Sequence, residues 1–249
     1  MRAMVLSAGY GTRMGDLTRE IPKPMLPLND QPILEWIVRN LAQNGFTEVA
    51  INLHFHPEMI RGHFGDGSKF GVKITYSEEP QLLGTAGGVK KMESFLRESD
   101  PFLVQYGDVV TNQDLHAMFD FHRKKRALAT LLIHARAKSN SVITLDAENR
   151  IVGLLERPTE DARRGVTSHW VNSGVCLCHP DILDSIPLSA PCDLPRDIFP
   201  RLLATRRVFG FPLTGNRVAI DSPERLAQAE QIFKSGITRI RRLHPPGSK

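Results

Sequence analysis

The stretch Ala3-Met4-Val5-Leu6-Ser7-Ala8-Gly9-Tyr10-Gly11-Thr12-Arg13 sets the reading of this chain. An apolar, strand-like run breaks abruptly into small residues and glycines. Small side chains let backbone amides approach an anion closely, and Gly9 and Gly11 supply conformations that other residues resist. Successive N–H groups can then form an anion-binding concavity. Arg13 adds a planar, bidentate donor suited to phosphate. Neither common phosphate-loop pattern fits. The Gly-Lys-Ser/Thr ending of a P-loop is absent, and Met14 stands where a dinucleotide fingerprint needs its third glycine, with Gly15 one residue late. Spacing alone leaves two readings, a phosphate loop or a plain tight turn.

Working outward, Ile21-Pro22-Lys23-Pro24-Met25-Leu26-Pro27 places a lysine between two prolines. Prolines lack an N–H and resist helix interiors, so the segment reads as rigid and extended, with Lys23 fixed as a second phosphate contact. Beyond it, strand-like and helix-like runs alternate. Helical spacing covers Ile33 to Ala42, and Pro57 opens a short helix from its first position. Further helices are expected over Thr85 to Leu96 and Gln113 to Lys125. Strands are expected over Glu48 to Leu53, Val72 to Tyr76, Phe102 to Tyr106 and Leu128 to His134. Such alternation implies βαβ units and a mostly parallel sheet, whose ligands gather beyond the carboxyl ends of the strands. The loops after Leu6, Tyr76 and Tyr106 should then share one rim. The second half is richer in strands, at Val142 to Leu145, Ile151 to Leu155, Trp170 to Cys178, Val208 to Leu213 and Arg217 to Ile220. Helices are expected from Leu194 to Ala204 and from Pro223 to Phe233.

The expected fold class is α/β: a Rossmann-like, mostly parallel sheet flanked by helices, with a smaller strand-rich part. One domain is read over 1–235, with a nucleotide-binding part over about 1–125 and a sugar-binding part over about 126–235. A basic tail occupies 236–249. Its cluster of Arg239, Arg241, Arg242 and Lys249 lies beside Pro245, Pro246 and Gly247, which reads as a solvated end.

A chain of 249 residues with 41% hydrophobic and 24% charged residues can bury a sizeable core. No apolar run approaches the roughly 18 residues needed to cross a bilayer. Met1 leads almost directly into a strand-like run without a secretory pattern, so a cytoplasmic location is expected. The net charge of +5 is spread along the chain and suits a small polyanion. Without an aromatic stacking motif or a recognisable module, nucleic-acid binding is not expected. Cys176, Cys178 and Cys192 lack the spacing of a disulfide framework or a zinc site and read as reduced thiols. The histidines, among them His54, His63, His122 and His134, show no repeated ligand spacing.

Leu6 through Pro27, with Gly9, Gly11, Thr12, Arg13, Pro22, Lys23, Pro24 and Pro27, resembles the signature of the sugar-1-phosphate nucleotidyltransferases, and the likeness runs to about Phe233. The resemblance implies condensation of a nucleoside triphosphate with a sugar 1-phosphate, giving an NDP-sugar and pyrophosphate. It implies nucleotide contacts at Leu6, Ala8, Gly9, Gly11, Thr12, Arg13, Lys23, Glu79, Gly84 and Thr85, with Arg13 and Lys23 as the catalytic cations. Gly107, Glu156, Arg157 and Asn172 would hold the sugar phosphate, and Asp108 and Asp221 would bind magnesium. Read without the resemblance, Asp221 is an ordinary helix N-cap. The sequence departs from the family at Ser7, at Gly15-Asp16-Leu17, at Arg157 in place of lysine, and near Ser141, where glycine is usual.

A carboxylate at Glu79 can accept both N1–H and the exocyclic amine of guanine, which points to GTP. The Cys192 to Pro200 segment looks closest to the manno-heptose guanylyltransferases, so mannose or manno-heptose 1-phosphate is the expected sugar. UTP, dTTP, ATP or CTP with a hexose 1-phosphate stays open. So does an inactive subunit that senses nucleotide sugars, although retention of Arg13, Lys23, Asp108 and Asp221 counts against it. No membrane partner and no appended acyltransferase domain after Phe233 are expected, and a homo-oligomer is left open.

Overall fold

The computed structural model of the chain describes residues 1–137, 139–188 and 191–234; the tail 236–249 lies outside the described residues. The elements in chain order are β1 (Arg2–Leu6), β2 (Pro27–Leu28), β3 (Gln31–Pro32), α1 (Ile33–Gln43), β4 (Glu48–Leu53), α2 (Pro57–Phe64), β5 (Lys73–Glu78), α3 (Gly84–Lys91), α4 (Glu93–Leu96), β6 (Phe102–Tyr106), β7 (Val109–Thr111) and α5 (Leu115–Lys125). There follow β8 (Ala129–Ala135), β9 (Ser141–Leu145), β10 (Ile151–Glu156), α6 (Glu160–Arg163), β11 (Trp170–Cys178), α7 (Phe199–Leu202), β12 (Val208–Pro212), β13 (Arg217–Ala219) and α8 (Pro223–Lys234). The expected α/β class is present, with helices flanking a large mixed sheet. No helix among the described residues is long and apolar enough to cross a membrane.

The chain divides into two compact units. The first comprises 1–82, 105–114 and 215–249. Its strands β1, β4 and β5 run parallel, with Leu6 opposite Asn52 and Leu53 opposite Glu78. Parallel strands in register end at one edge, so the chain leaves Leu6, Leu53 and Glu78 on the same side. Ala3, Met4, Val5, Val49, Ala50 and Ile51 are wholly buried. They form the continuous apolar runs expected of strands covered on both faces. α1 presents Ile33, Leu34, Ile37, Val38 and Leu41 to the core at helical spacing. β13 falls within an expected strand, whereas β7 and the short antiparallel ribbon the two form, in which Ala219 pairs with Val109, were not expected.

The second unit comprises 83–104 and 115–214. Here β8, β9, β10 and β11 pair antiparallel, and β12 joins β8 in parallel. Two expected helices are broken. Thr85 to Leu96 is two helices, because Met92 leaves the helical region with φ −98 and ψ 21. Leu194 to Ala204 is a π-turn over Leu194–Ile198, then α7, then a 3₁₀ turn; Pro195 and Pro200 each remove an amide donor from a regular ladder.

Candidate active site

In the first unit, the glycine loop departs from β1 through backbone that only part of its sequence explains. Gly11 sits at φ 69, in the left-handed region, and a Cβ there would lie 2.9 Å from the Cβ of Lys23. Glycine at this position therefore serves both conformation and close passage of the lysine segment. Gly9 does not have positive φ, and a Cβ on it would meet nothing within 4 Å, so the space beside it is open. Thr18 Oγ1 donates to the carbonyls of Gly11 and Gly15, at 3.0 and 3.3 Å, and closes the loop onto a 3₁₀ turn.

The Pro-Lys-Pro segment is not extended as expected. Pro22 is extended, but Lys23–Met25 forms a 3₁₀ turn in which the Met25 N–H donates to the Pro22 carbonyl at 2.7 Å. The turn carries the lysine inward. Lys23 is 8% exposed, and its Nζ donates to Asp108 Oδ2 at 2.5 Å. Arg13 Nη1 reaches Asp221 Oδ2 at 3.3 Å, but its side chain is 64% exposed. The two pairs differ in kind. A solvent-exposed ion pair is worth about 0–1 kcal/mol and opens readily. The lysine pair is shielded and holds its geometry.

Asp108 and Asp221 are brought to one end of the β7–β13 ribbon, where the Ile220 N–H donates to the Asp108 carbonyl at 2.9 Å. Asp221 is not the cap of α8. Ser222 Oγ accepts from the Arg225 N–H at 3.3 Å and takes that role. Asp221 is thereby free for Arg13 and for Arg225, whose Nε lies 3.1 Å from Oδ1. Gly107 packs against the loop: its N–H donates to the Leu6 carbonyl at 2.9 Å, and a Cβ would fall 2.6 Å from Ser7 Oγ. The Ser7 hydroxyl itself is buried with no hydrogen-bond partner among the described residues.

Asn52, at the end of β4, was missed by the sequence reading. Its Oδ1 accepts from the Ser7 N–H at 2.6 Å, and its Nδ2 donates to Glu79 Oε1 at 2.7 Å. The only hint was a polar residue inside an apolar strand, Val49-Ala50-Ile51-Asn52-Leu53. Glu79 is 2% exposed in this arrangement. His54 completes the tie, with Nδ1 at 2.6 Å from the Glu79 carbonyl and Nε2 at 2.7 Å from the Tyr10 hydroxyl. The start of the glycine loop is thus tied to the ends of β4 and β5.

In the second unit, Gly84 opens α3 at φ 73, and a Cβ there would lie 2.4 Å from the Cys192 carbonyl oxygen. Thr85 does not cap its own helix. Its N–H and hydroxyl both donate to Asp193 Oδ1, at 3.1 and 3.2 Å, and its Oγ1 accepts from the Leu194 N–H at 2.8 Å. Asp193 is the partner the sequence reading lacked, since nothing local connects positions 108 residues apart. Glu156, Ser141 and Asn172 fall in one lateral row. Glu156 pairs with Ser141, and the Trp170–Ile143 bridge carries the same register to Asn172. Side chains of laterally paired residues share a sheet face. Burial raises the Glu156 carboxyl above the usual range, against the opposing pull of Arg157. Arg157 follows with φ 49, and its N–H donates to the Asn140 carbonyl at 2.5 Å. Asn172 Oδ1 accepts from the Gly174 N–H at 3.0 Å, across a bulge in β11.

The first unit thus holds a glycine loop with two tethered cations and a pair of carboxylates on a ribbon, the second a polar row on β9, β10 and β11, in an α/β protein. The family model for nucleotidyl transferases matches residues 2–215, and the chain belongs to that family. It is 35% identical over 217 residues to a UTP–glucose-1-phosphate uridylyltransferase of a Synechocystis species, covering 82% of this chain and 55% of the relative. It is 34% identical over 213 residues to a mannose-1-phosphate guanylyltransferase of Mycobacterium tuberculosis, covering 84% and 58%. The chain thus spans little more than half the length of these relatives. Two solved structures share its fold. One is described as a glucose-1-phosphate thymidylyltransferase from Bacillus anthracis, with a TM-score of 0.82, 20% identity and 93% and 94% of the two chains covered. The other is a UDP-glucose pyrophosphorylase complexed with UDP-glucose, with a TM-score of 0.81, 19% identity and 94% and 98% covered.

Proposed function

We propose that this chain is a sugar-1-phosphate nucleotidyltransferase. A sugar 1-phosphate oxygen attacks the α-phosphorus of a nucleoside triphosphate, a new P–O bond forms, the α–β bridging P–O bond breaks, and pyrophosphate leaves with the electron pair. The nucleophile is already an oxyanion, so the site needs alignment and charge neutralisation rather than a strong base. The observation that carries the reading is the placement of Lys23. It is buried, aimed by a 3₁₀ turn, and pressed against the glycine loop at Gly11.

In this reading Arg13 and Lys23 neutralise the triphosphate, and the backbone of Leu6, Ala8, Gly9, Gly11 and Thr12 lies along it. The weak Arg13–Asp221 pair frees the guanidinium when phosphate arrives. Asp108 and Asp221 suit magnesium by donor chemistry, being two hard carboxylates at one ribbon end, and magnesium takes few protein ligands. When bound, the ion would supply charge neutralisation on the phosphates. Gly84 and Thr85 border the nucleotide, and Gly107, Glu156, Arg157 and Asn172 hold the sugar phosphate. Glu79 is buried and already accepts from Asn52, so it does not carry the choice of base; we take GTP with mannose or manno-heptose 1-phosphate as the substrates, in line with the mannose-1-phosphate guanylyltransferase relative.

The test is pyrophosphate release with five triphosphates, each paired with mannose, glucose and manno-heptose 1-phosphate. The reading expects release with at least one pair and the highest kcat/KM with GTP. Binding of nucleotide sugars without release from any pair would replace it with a sensing role.

A further inference from the structure

We propose that the second unit carries a binding site for a phosphoryl oxyanion in the cavity bounded by Arg136, Arg163 and His169. The cavity has a volume of about 120 Å³. It borders Ser141 at the start of β9, and two of its other lining residues alternate away from the Glu156–Ser141–Asn172 row. Alternation along β11 puts Val171 on the other side from Asn172, and alternation along β9 does the same for Val142 and Ser141. Val142 and Val171 both line the cavity. This inference goes beyond the proposed reaction and does not rest on it.

The charge balance of the cavity is one-sided. Among the described residues two guanidinium groups and an imidazole line it and no carboxylate does. Arg163 is the strongest indicator. The turn after Thr159 fixes its backbone, with the Arg163 N–H donating to the Thr159 carbonyl at 3.1 Å. Its Nη2 donates to the Ser139 carbonyl, yet its Nε is buried with no hydrogen-bond partner among the described residues. A buried, charged donor left unpaired is costly, and native structures rarely leave one without a ligand or water. The Ser139 hydroxyl accepts from the Ser141 N–H at 3.3 Å, which leaves its own proton to donate inward.

Size and shape select the ligand class. A cavity of about 120 Å³ has room for several water molecules and suits one phosphate group. Planar guanidinium forks match phosphate oxygens bidentately, and hydroxyl donors complete such a shell. The group could be inorganic phosphate or the head of a phosphomonoester.

The test uses the full chain. Backbone amide NMR shifts are followed while inorganic phosphate, or separately glycerol phosphate, replaces chloride at fixed ionic strength. The proposal expects saturable shifts at Ser139, Ser141, Arg163 and His169, with affinity at least tenfold weaker in Arg163→Gln and in Arg136→Gln. Shifts with phosphate alone identify a free-ion site, and shifts with both identify a site open to monoesters; either outcome supports the proposal. Anion binding at Gly9 to Arg13 is read from its own amides and does not enter. Absence of saturable shifts around Arg163 with both anions overturns the proposal, as does unchanged affinity in the arginine variants. Arg136 is exposed, so Arg136→Gln keeps the test valid if Arg163→Gln fails to fold.

Discussion

The Lys23–Asp108 pair offers a quantitative check on the site. Its side chains are 10% and 24% exposed, with nitrogen and oxygen 2.5 Å apart. At an effective dielectric constant of about 20, unit charges roughly 3 Å apart attract by about 5–6 kcal/mol. Desolvating the two ions offsets much of that gain. Residual water access at Asp108 weakens it further, leaving a net coupling of about 2 kcal/mol. A double-mutant cycle of Lys23→Met, Asp108→Asn and the double variant isolates this quantity. Each single variant should lose about 2 kcal/mol in urea unfolding, and the double variant should lose little more than either. In a chain of this size, each single loss corresponds to a fall in Tm of about 4–8 °C. A coupling energy below about 0.5 kcal/mol would show that the lysine is not held by the carboxylate. The claim that the Pro-Lys-Pro turn pre-aims it would then fail.

Three further outcomes are expected. Gly84→Ala should destabilise the protein by about 3 kcal/mol or more by thermal unfolding, since a Cβ 2.4 Å from the Cys192 carbonyl adds a backbone clash to a left-handed strain. Asn52→Ala strips buried partners from the Ser7 N–H and from Glu79; a loss of about 2–4 kcal/mol and a raised KM for nucleotide with little change for the sugar phosphate are expected, read by unfolding and steady-state kinetics. His122 is buried and bonded to Thr130 Oγ1 at 2.9 Å, and burial lowers its pKa from 6.5 to about 4. The unfolded chain therefore takes up the proton first as pH falls. The neutral imidazole's contribution is complete above pH 6.5 and drains away toward pH 4, by about 2 kcal/mol at pH 5. His122→Gln should flatten that part of the wild-type stability curve, measured by urea unfolding at pH 7 and pH 5.

Much of the first unit was legible because its signals are local. Apolar runs with glycine endings gave β1, and helical spacing gave α1. The parallel direction of β1, β4 and β5 follows once such runs alternate with helices. The loop cations were legible for the same reason, since Arg13 and Lys23 sit in short segments with unusual composition. What sequence reasoning missed depends on partners far along the chain. Asn52 matters because two other strand ends converge on it. Asp193 matters because it meets Thr85 across more than a hundred residues. The turn at Lys23 defied the expectation of an extended segment because the preceding proline, not the following one, supplies the extended residue. Asp221 looked like a cap, but its neighbour Ser222 makes the hydrogen bond, and no propensity scale separates adjacent candidates of equal aptitude.

Nucleotidyl transfer is proposed at Arg13, Lys23, Asp108 and Asp221. The most direct measurement is single-turnover conversion of α-phosphate-labelled GTP with mannose 1-phosphate or manno-heptose 1-phosphate in magnesium, by wild type and by Asp108→Asn. Folding of the variant is checked by circular dichroism. Wild type is expected to move the label into a nucleotide sugar with one equivalent of pyrophosphate, and Asp108→Asn to do so at least about a hundredfold more slowly. Transfer by a folded Asp108→Asn at the wild-type rate would contradict this assignment.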